Sequence, residues 1–235
     1  MSGRILVIGS INTDLVTFAD RMPEAGETLA GTDFAVLPGG KGANQAVAAA
    51  RLGGDVALIG RVGDDGFGRD ALANLAGCGI DISGVRVSAG VPSGVATILV
   101  EPSGENRILI VAGANGRVTP QDVPEAALAQ AALVVLQLEI PMSTIADVIA
   151  RAAARGVPVL LNPAPAADLD PAMLRGVSYL VPNRDELGRL TAMPVGRTDE
   201  MVAAARRLVR RGVGAVVVTL GGDGALLVTA ERVAH

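Results

Sequence analysis

The chain of 235 residues has one lysine, one cysteine, one tyrosine, three phenylalanines and no tryptophan, and each scarcity closes a class of function. Cys78 has no second cysteine to pair with, so no internal disulfide is needed and no oxidising compartment is implied. Tyr179, Phe18, Phe34 and Phe67 are the only aromatic residues, too few for the base-stacking platforms of single-strand binders, and nucleic acid is not expected as a partner. No apolar run approaches the roughly 20 residues that cross a bilayer. Met1-Ser2-Gly3-Arg4 leads into a short apolar strand and not into a signal peptide, so a cytoplasmic protein without a membrane partner is expected. The 24 acidic and 20 basic residues are scattered and leave a net charge of -4. The one dense basic cluster, Arg206, Arg207, Arg210 and Arg211, has the spacing of a solvated helix face.

Half of the residues are hydrophobic, enough to bury a substantial core in one large domain spanning residues 1–235. In the second half, short apolar runs alternate with Ala/Arg-rich stretches of helical spacing. Strands are predicted over 133–138, 157–161, 178–181 and 215–220, and helices over 143–155, 185–191 and 198–211. Gly156 and Gly212 supply the stop signals. The first half begins likewise, with strands over 5–8 and 56–60 around an Ala-rich helix over 42–52. Such alternation implies an α/β fold with a mostly parallel central sheet covered by helices on both faces. Residues 15–36 and 93–111 break the rhythm; with Pro102-Ser103-Gly104-Glu105 as a turn, they read as antiparallel segments forming a small β-sheet lid.

The densest chemical signal is Pro38-Gly39-Gly40-Lys41-Gly42-Ala43-Asn44, which opens that Ala-rich helix. Clustered glycines let backbone approach a ligand, and a helix start offers free N–H groups. Lys41, the lone lysine, adds a mobile charged donor, and Asn44 adds a donor and an acceptor suited to sugar hydroxyls. The run is neither a P-loop, because Gly42 follows the lysine, nor a dinucleotide fingerprint, because Gly9-Ser10-Ile11-Asn12-Thr13-Asp14 follows the first strand. Asn12 and Asp14 lie where open α/β sheets bind ligands, although Asx turns or helix caps use the same residues. Glu139 repeats the situation after a later strand, but taken alone it reads as a solvated carboxylate. Pro182-Asn183-Arg184-Asp185-Glu186 opens a helix, where acidic residues also compensate the dipole, and Thr219-Leu220-Gly221-Gly222-Asp223-Gly224 can also be a plain hairpin turn.

Together these segments, with Gln137-Leu138-Glu139 and Asn162-Pro163-Ala164-Pro165-Ala166, resemble in order and type the ribokinase-like members of the PfkB-type carbohydrate kinases, from Arg4 to the end. The resemblance implies a three-layer ribokinase-like fold whose β lid also forms a homodimer. It implies an enzyme that transfers the γ-phosphoryl group of ATP to a sugar hydroxyl, with D-ribose giving ribose 5-phosphate as the expected reaction. By the same resemblance Asn12, Asp14, Gly40, Lys41, Asn44 and Glu139 hold the sugar. Asn183, Thr219, Gly221, Gly222, Asp223 and Gly224 contact ATP, and Glu186 orders water around Mg²⁺. The family's catalytic Asp sits in a Gly-Ala-Gly-Asp type motif that does not occur here; it is expected beyond His235, with the far adenine wall and a monovalent cation (K⁺) site. On that expectation residues 1–235 alone are inactive, and Asp14, Asp64 and Asp65 inherit no role as base. A sugar-binding protein without catalysis, or a kinase for another sugar or a nucleoside, are the alternative readings.

Overall fold

The computed structural model describes residues 3–235. In chain order the strands are β1 (Arg4–Ile8), β2 (Asn12–Phe18), β3 (Asp33–Gly39), β4 (Val56–Gly63), β5 (Asp81–Ser88), β6 (Gly94–Val100), β7 (Asn106–Val111), β8 (Ala131–Leu136), β9 (Val159–Leu161), β10 (Tyr179–Leu180), β11 (Ala215–Thr219), β12 (Ala225–Val228) and β13 (Val233–Ala234). The helices are α1 (Lys41–Arg51), α2 (Gly66–Gly77), α3 (Glu125–Gln130), α4 (Met142–Ala154), α5 (Pro171–Leu174), α6 (Arg184–Thr191) and α7 (Thr198–Arg210).

Nine strands form one sheet in the order β13-β12-β11-β10-β9-β8-β1-β4-β5. Every pair from β5 to β11 is parallel, and only the β11–β12 and β12–β13 pairs at one edge are antiparallel. The chain leaves β1 toward β4 on one side and later returns to its other side as β8. This reversal opens a crevice beyond the carboxyl ends of β1 and β8, the usual ligand position in such sheets. Alternate residues of the inner strands divide the core. Leu6 and Ile8 join the larger cluster with α3, α4 and α7, whereas Val7 joins Leu58, Ala43, Ala46 and Leu75 under α1 and α2.

Local sequence explains the helices that pack there. In α7 the buried residues Met201, Ala204, Ala205 and Leu208 recur at helical spacing, and Arg206, Arg207, Arg210 and Arg211 are all exposed, as a solvated face requires. Gly156 and Gly212, with φ of 69° and 106°, end α4 and α7 in a conformation that a side chain would strain. Between α1 and α6, Ile5, Leu133, Val135 and Leu160 line a groove of about 610 Å³, and Leu52 at its rim is 90% exposed. Helices flank the sheet as expected, and among the described residues no helix is long and apolar enough to cross a membrane.

A second sheet has the order β3-β2-β6-β7. Its two outer pairs are antiparallel, but β2 and β6 run parallel, and strand pairing begins at Asn12 and Gly94 while residues 19–32 stay irregular. Asp65 fastens this sheet to the first. It caps α2 by accepting from the Gly68 N–H at 2.8 Å, and it accepts from the Ser93 N–H at 2.8 Å and the Ser93 hydroxyl at 2.7 Å, just before β6. Burial works to raise the Asp65 pKa, but the Ser93 and Gly68 donors outweigh it and hold the carboxyl below the usual aspartate value. This contribution to stability is therefore complete at neutral pH and is lost as the pH falls through the lowered pKa. Asp65→Ala should cost about 1–2 kcal/mol at pH 7, the scale of a lost N-cap, read as a lower urea midpoint, and the difference from the parent should shrink in strong acid.

Candidate functional site

The first turn of α1 stands at the crevice, and three glycines allow it. Gly40 has φ 90°, and a Cβ on it would lie 2.6 Å from the Asn12 nitrogen and 2.8 Å from the Ser10 oxygen. A Cβ on Gly42 would meet Gly9 and Ser10 backbone atoms at 2.7 Å, and one on Gly39 would collide with the Asp14 carboxylate. Helix α1 has no side-chain cap from Gly40. Glu139, three residues past β8, supplies the missing acceptor: its Oε2 accepts from the Lys41 N–H at 3.1 Å and from the Ser10 hydroxyl at 2.6 Å. The Ser10 oxygen in turn accepts from the Gly42 N–H at 3.3 Å. A buried carboxylate here compensates the helix dipole and satisfies an otherwise orphaned N–H.

The other Glu139 oxygen lies 4.0 Å from Lys41 Nζ, and the Glu139 side chain is only 8% exposed. The solvated alternative for Glu139 is thus excluded, and the lone lysine sits in the site. Asp14, half-buried on β2, accepts no hydrogen bond among the described residues. Burial pushes its pKa above the usual aspartate value; the Glu139 charge adds to this and Lys41 offsets part of it. Its register partners across the second sheet are Leu37 and Ala96, with Ile110 opposite Ala96, so this carboxylate is flanked by apolar side chains. Asn12 and Asn44 line an adjoining cavity of about 210 Å³ with Gly39 and Pro38. Asn12, Asp14, Gly40, Lys41, Asn44 and Glu139, scattered in sequence, therefore lie together around the start of α1.

The second cluster borders the open groove, whose lining includes Lys41, Asn183, Glu186 and Thr219. Asn183 and Glu186 form a reciprocal capping box on α6: the Asn183 side-chain oxygen accepts from the Glu186 N–H, and Glu186 Oε2 accepts from the Asn183 N–H, both at 2.8 Å. This leaves the Asn183 amide nitrogen and one Glu186 oxygen for a ligand. Asn183 also bridges in parallel to Thr219 at the end of β11. Beyond it, Gly221, Gly222 and Gly224 have open space where a side chain would be, and Asp223 lies exposed among them, so the backbone of this loop is accessible.

Among the described residues no group of His, Cys, Asp or Glu side chains comes together to hold a metal. A single free Glu186 oxygen cannot bind Mg²⁺ alone, but it fits an ion that is carried on phosphates and keeps its waters. Asp65 is committed to α2 and Ser93, and Asp64 is exposed with its carboxylate on the Gly90 N–H, so neither faces the crevice chemistry.

The side chains that support these clusters carried no assigned role in the sequence, although Gln137 and Asn162 stand in segments that carry the family resemblance. Gln137 donates to Gln45 at 2.6 Å, Gln45 to Asn162 at 3.3 Å, and Asn162 to the Val181 carbonyl at 2.9 Å, which ties α1 across the strand ends toward α6. Asn115, 1% exposed, packs on Ile11 and Asn12. No spacing signal marks either set.

The sequence matches the pfkB family of carbohydrate kinases over residues 2–235. It is 44% identical to a deoxyribokinase of Salmonella typhi over 98% of this chain and 76% of that protein. It is 42% identical to a ribokinase of Schizosaccharomyces pombe, covering 94% of this chain and 73% of the relative. Among solved structures, Arabidopsis thaliana ribokinase complexed with ribose and ATP superposes with a TM-score of 0.89 at 33% identity, covering 99% of this chain and 76% of that one.

A raised carboxyl pKa means that the folded chain takes up a proton more readily than the unfolded chain. Charged Asp14 therefore opposes folding at neutral pH, and the penalty vanishes as the pH falls through the raised pKa to the ordinary aspartate value. Asp14→Asn should raise the thermal midpoint at pH 7 by roughly 1–3 °C, with the gap narrowing by about pH 4; scanning calorimetry at both pH values checks this.

Proposed function

This chain belongs to the pfkB family of carbohydrate kinases, phosphotransferases that act on a sugar hydroxyl, and on that footing we propose that its site takes D-ribose and ATP and yields ribose 5-phosphate. One observation carries the proposal: among the described residues the half-buried Asp14 has no protein donor, and it stands beside Glu139 and Lys41, which itself borders the groove of Asn183, Glu186 and Thr219. A half-buried carboxylate with no protein donor among the described residues is free to accept from a ligand, and a furanose offers adjacent hydroxyls.

In this reading Asp14 accepts from neighbouring sugar hydroxyls, while Lys41, Asn12 and Asn44 donate to sugar oxygens and Gly40 lets the ring approach the backbone. ATP lies along Thr219, Gly221, Gly222, Asp223 and Gly224 with the Asn183 amide donating to it. The free oxygen of Glu186 receives a water of the Mg²⁺ that neutralises phosphate charge when bound. Lys41 lies between the two ligands and holds positive charge where the transferred group passes. No described carboxylate is assigned the proton acceptor, and no described residue is assigned to K⁺. The second sheet carries Asp14 and serves as the lid that excludes water. Its exposed Phe34, Val36, Leu109 and Val111 favour a homodimer through this lid, which sedimentation should report. A cytoplasmic location accords with the single free Cys78.

The 44% identity to a deoxyribokinase favours a second reading, 2-deoxy-D-ribose as substrate. Dissociation constants for the two sugars, measured by calorimetry, separate them: D-ribose should bind the more tightly, tighter binding of 2-deoxyribose would select the second reading, and binding of neither would reject both. Asp14→Ala should weaken sugar binding by roughly 100-fold, the scale of two lost charge-assisted hydrogen bonds, with ATP affinity unchanged in calorimetry.

A further inference from the structure

The orientation of the Asn12 amide follows from groups whose hydrogen-bonding character is not in doubt. Asn115 Oδ1 receives the Ile11 N–H at 2.9 Å, and a backbone N–H can only donate. Asn115 Nδ2 lies 3.1 Å from the Ile11 carbonyl, which can only accept. Both ends of the Asn115 amide are therefore set by the backbone at the end of β1. The atom of Asn12 that receives Asn115 Nδ2 at 2.7 Å must then be its oxygen. The Asn12 nitrogen is left at the opposite end, without a protein acceptor among the described residues, and it is not sealed from solvent. Asn12 lines the cavities beside Gly39 and Asn44.

We infer that Asn115 is a positioning residue that turns the NH₂ of Asn12 toward the sugar, so that Asn12 can only donate there. This rests on the assignment of the site to a sugar. Beside it Asp14, when charged, can only accept. The pair thus imposes a polarity on its ligand: an oxygen facing Asn12 must offer a lone pair, and a hydroxyl facing Asp14 must offer its proton. Were the Asn12 amide reversed, two acceptors would face the ligand and a lone pair of the sugar would go unmatched. An unsupported asparagine amide reverses readily, since its terminal torsion is broad and roughly two-fold. The start of β6 closes over the pair, because a Cβ on Gly94 would collide with both Asn115 Nδ2 and Asn12 Oδ1. Water is kept from the bond, and Asn115 is 1% exposed.

Asn115→Asp keeps the acceptor for Ile11 and removes the donor, which obliges the Asn12 amide to turn. Dissociation constants for D-ribose and 2-deoxy-D-ribose, measured by calorimetry, should rise about tenfold for the better-bound sugar, with ATP affinity unchanged. In an Asn12→Ala background the same substitution should have no further effect, a coupling that a purely structural role would not produce. Asn12→Asp leaves Asn115 intact and presents an oxygen to the sugar, so it should reproduce the loss if Asn115→Asp fails to fold. Equal affinity of the parent and either variant, or additive effects in the double variant, overturns the inference and leaves the sugar assignment standing. Side-chain amide exchange in the sugar-free parent tests the orientation separately: the Asn115 NH₂ should exchange slowly and the Asn12 NH₂ fast, and the reverse order overturns the inference. If the parent binds neither sugar, it is the sugar assignment that fails.

Discussion

The rest of the site depends on one carboxylate placed at the start of one helix. Glu139 arrives from the end of β8, accepts the Lys41 N–H and the Ser10 hydroxyl, and faces the Lys41 ammonium. Gly40 cannot supply a side-chain cap, because any side chain there would strike the backbone of Ser10 and Asn12. Close approach between α1 and the β1–β2 link therefore requires an acceptor from elsewhere in the chain. The same charge helps to hold the Asp14 pKa above its usual value. Helix start, lone lysine and the Asp14 carboxylate form one electrostatic unit built from residues far apart in sequence.

A second regularity follows from burial. Several site residues divide their polar atoms between the fold and the crevice. Asn183 gives its oxygen to α6 and keeps its nitrogen, Glu186 gives one oxygen to the Asn183 N–H and keeps the other, and Asn12 gives its oxygen to Asn115. A side chain with one end already bonded loses little further freedom when a ligand takes the other end, so orientation is set before binding. Helix-capping and ligand-binding readings of Asn183 and Glu186 looked like rivals in the sequence; the geometry makes them compatible, because each residue has two polar atoms.

Legibility along the chain followed the strength of local patterns. The α4 and α7 stretches, with long apolar periodicity and glycine stops, lie within about a residue of their expected bounds, as end fraying allows. Helix α2 escaped notice because Gly66, Gly68 and Gly77 dilute its pattern, and its one start signal, Asp65, lies in an acidic pair with Asp64. The predicted strand over 133–138 stops at Leu136, since Leu138 leaves the ladder to bond the Ala164 carbonyl and this departure frees Glu139 to reach α1. The parallel pairing of β2 with β6 departs from the antiparallel segments expected for the lid, because pairing between strands far apart in sequence leaves no local signal.

What the sequence by itself determined was the chemistry on offer and the layers that would carry it. Glycines before an Ala-rich helix, one lysine among arginines, and polar residues after apolar runs are local facts, and local facts dictate strands, helices and turn positions. Only the tertiary structure decided which polar atoms were left unspent. That Glu139 is buried and not solvated, that Asp14 has no donor among the described residues, and that Asn115 turns Asn12 all depend on contacts between residues up to 129 positions apart. Hydrogen-bond direction is a property of pairs, and no single residue carries it.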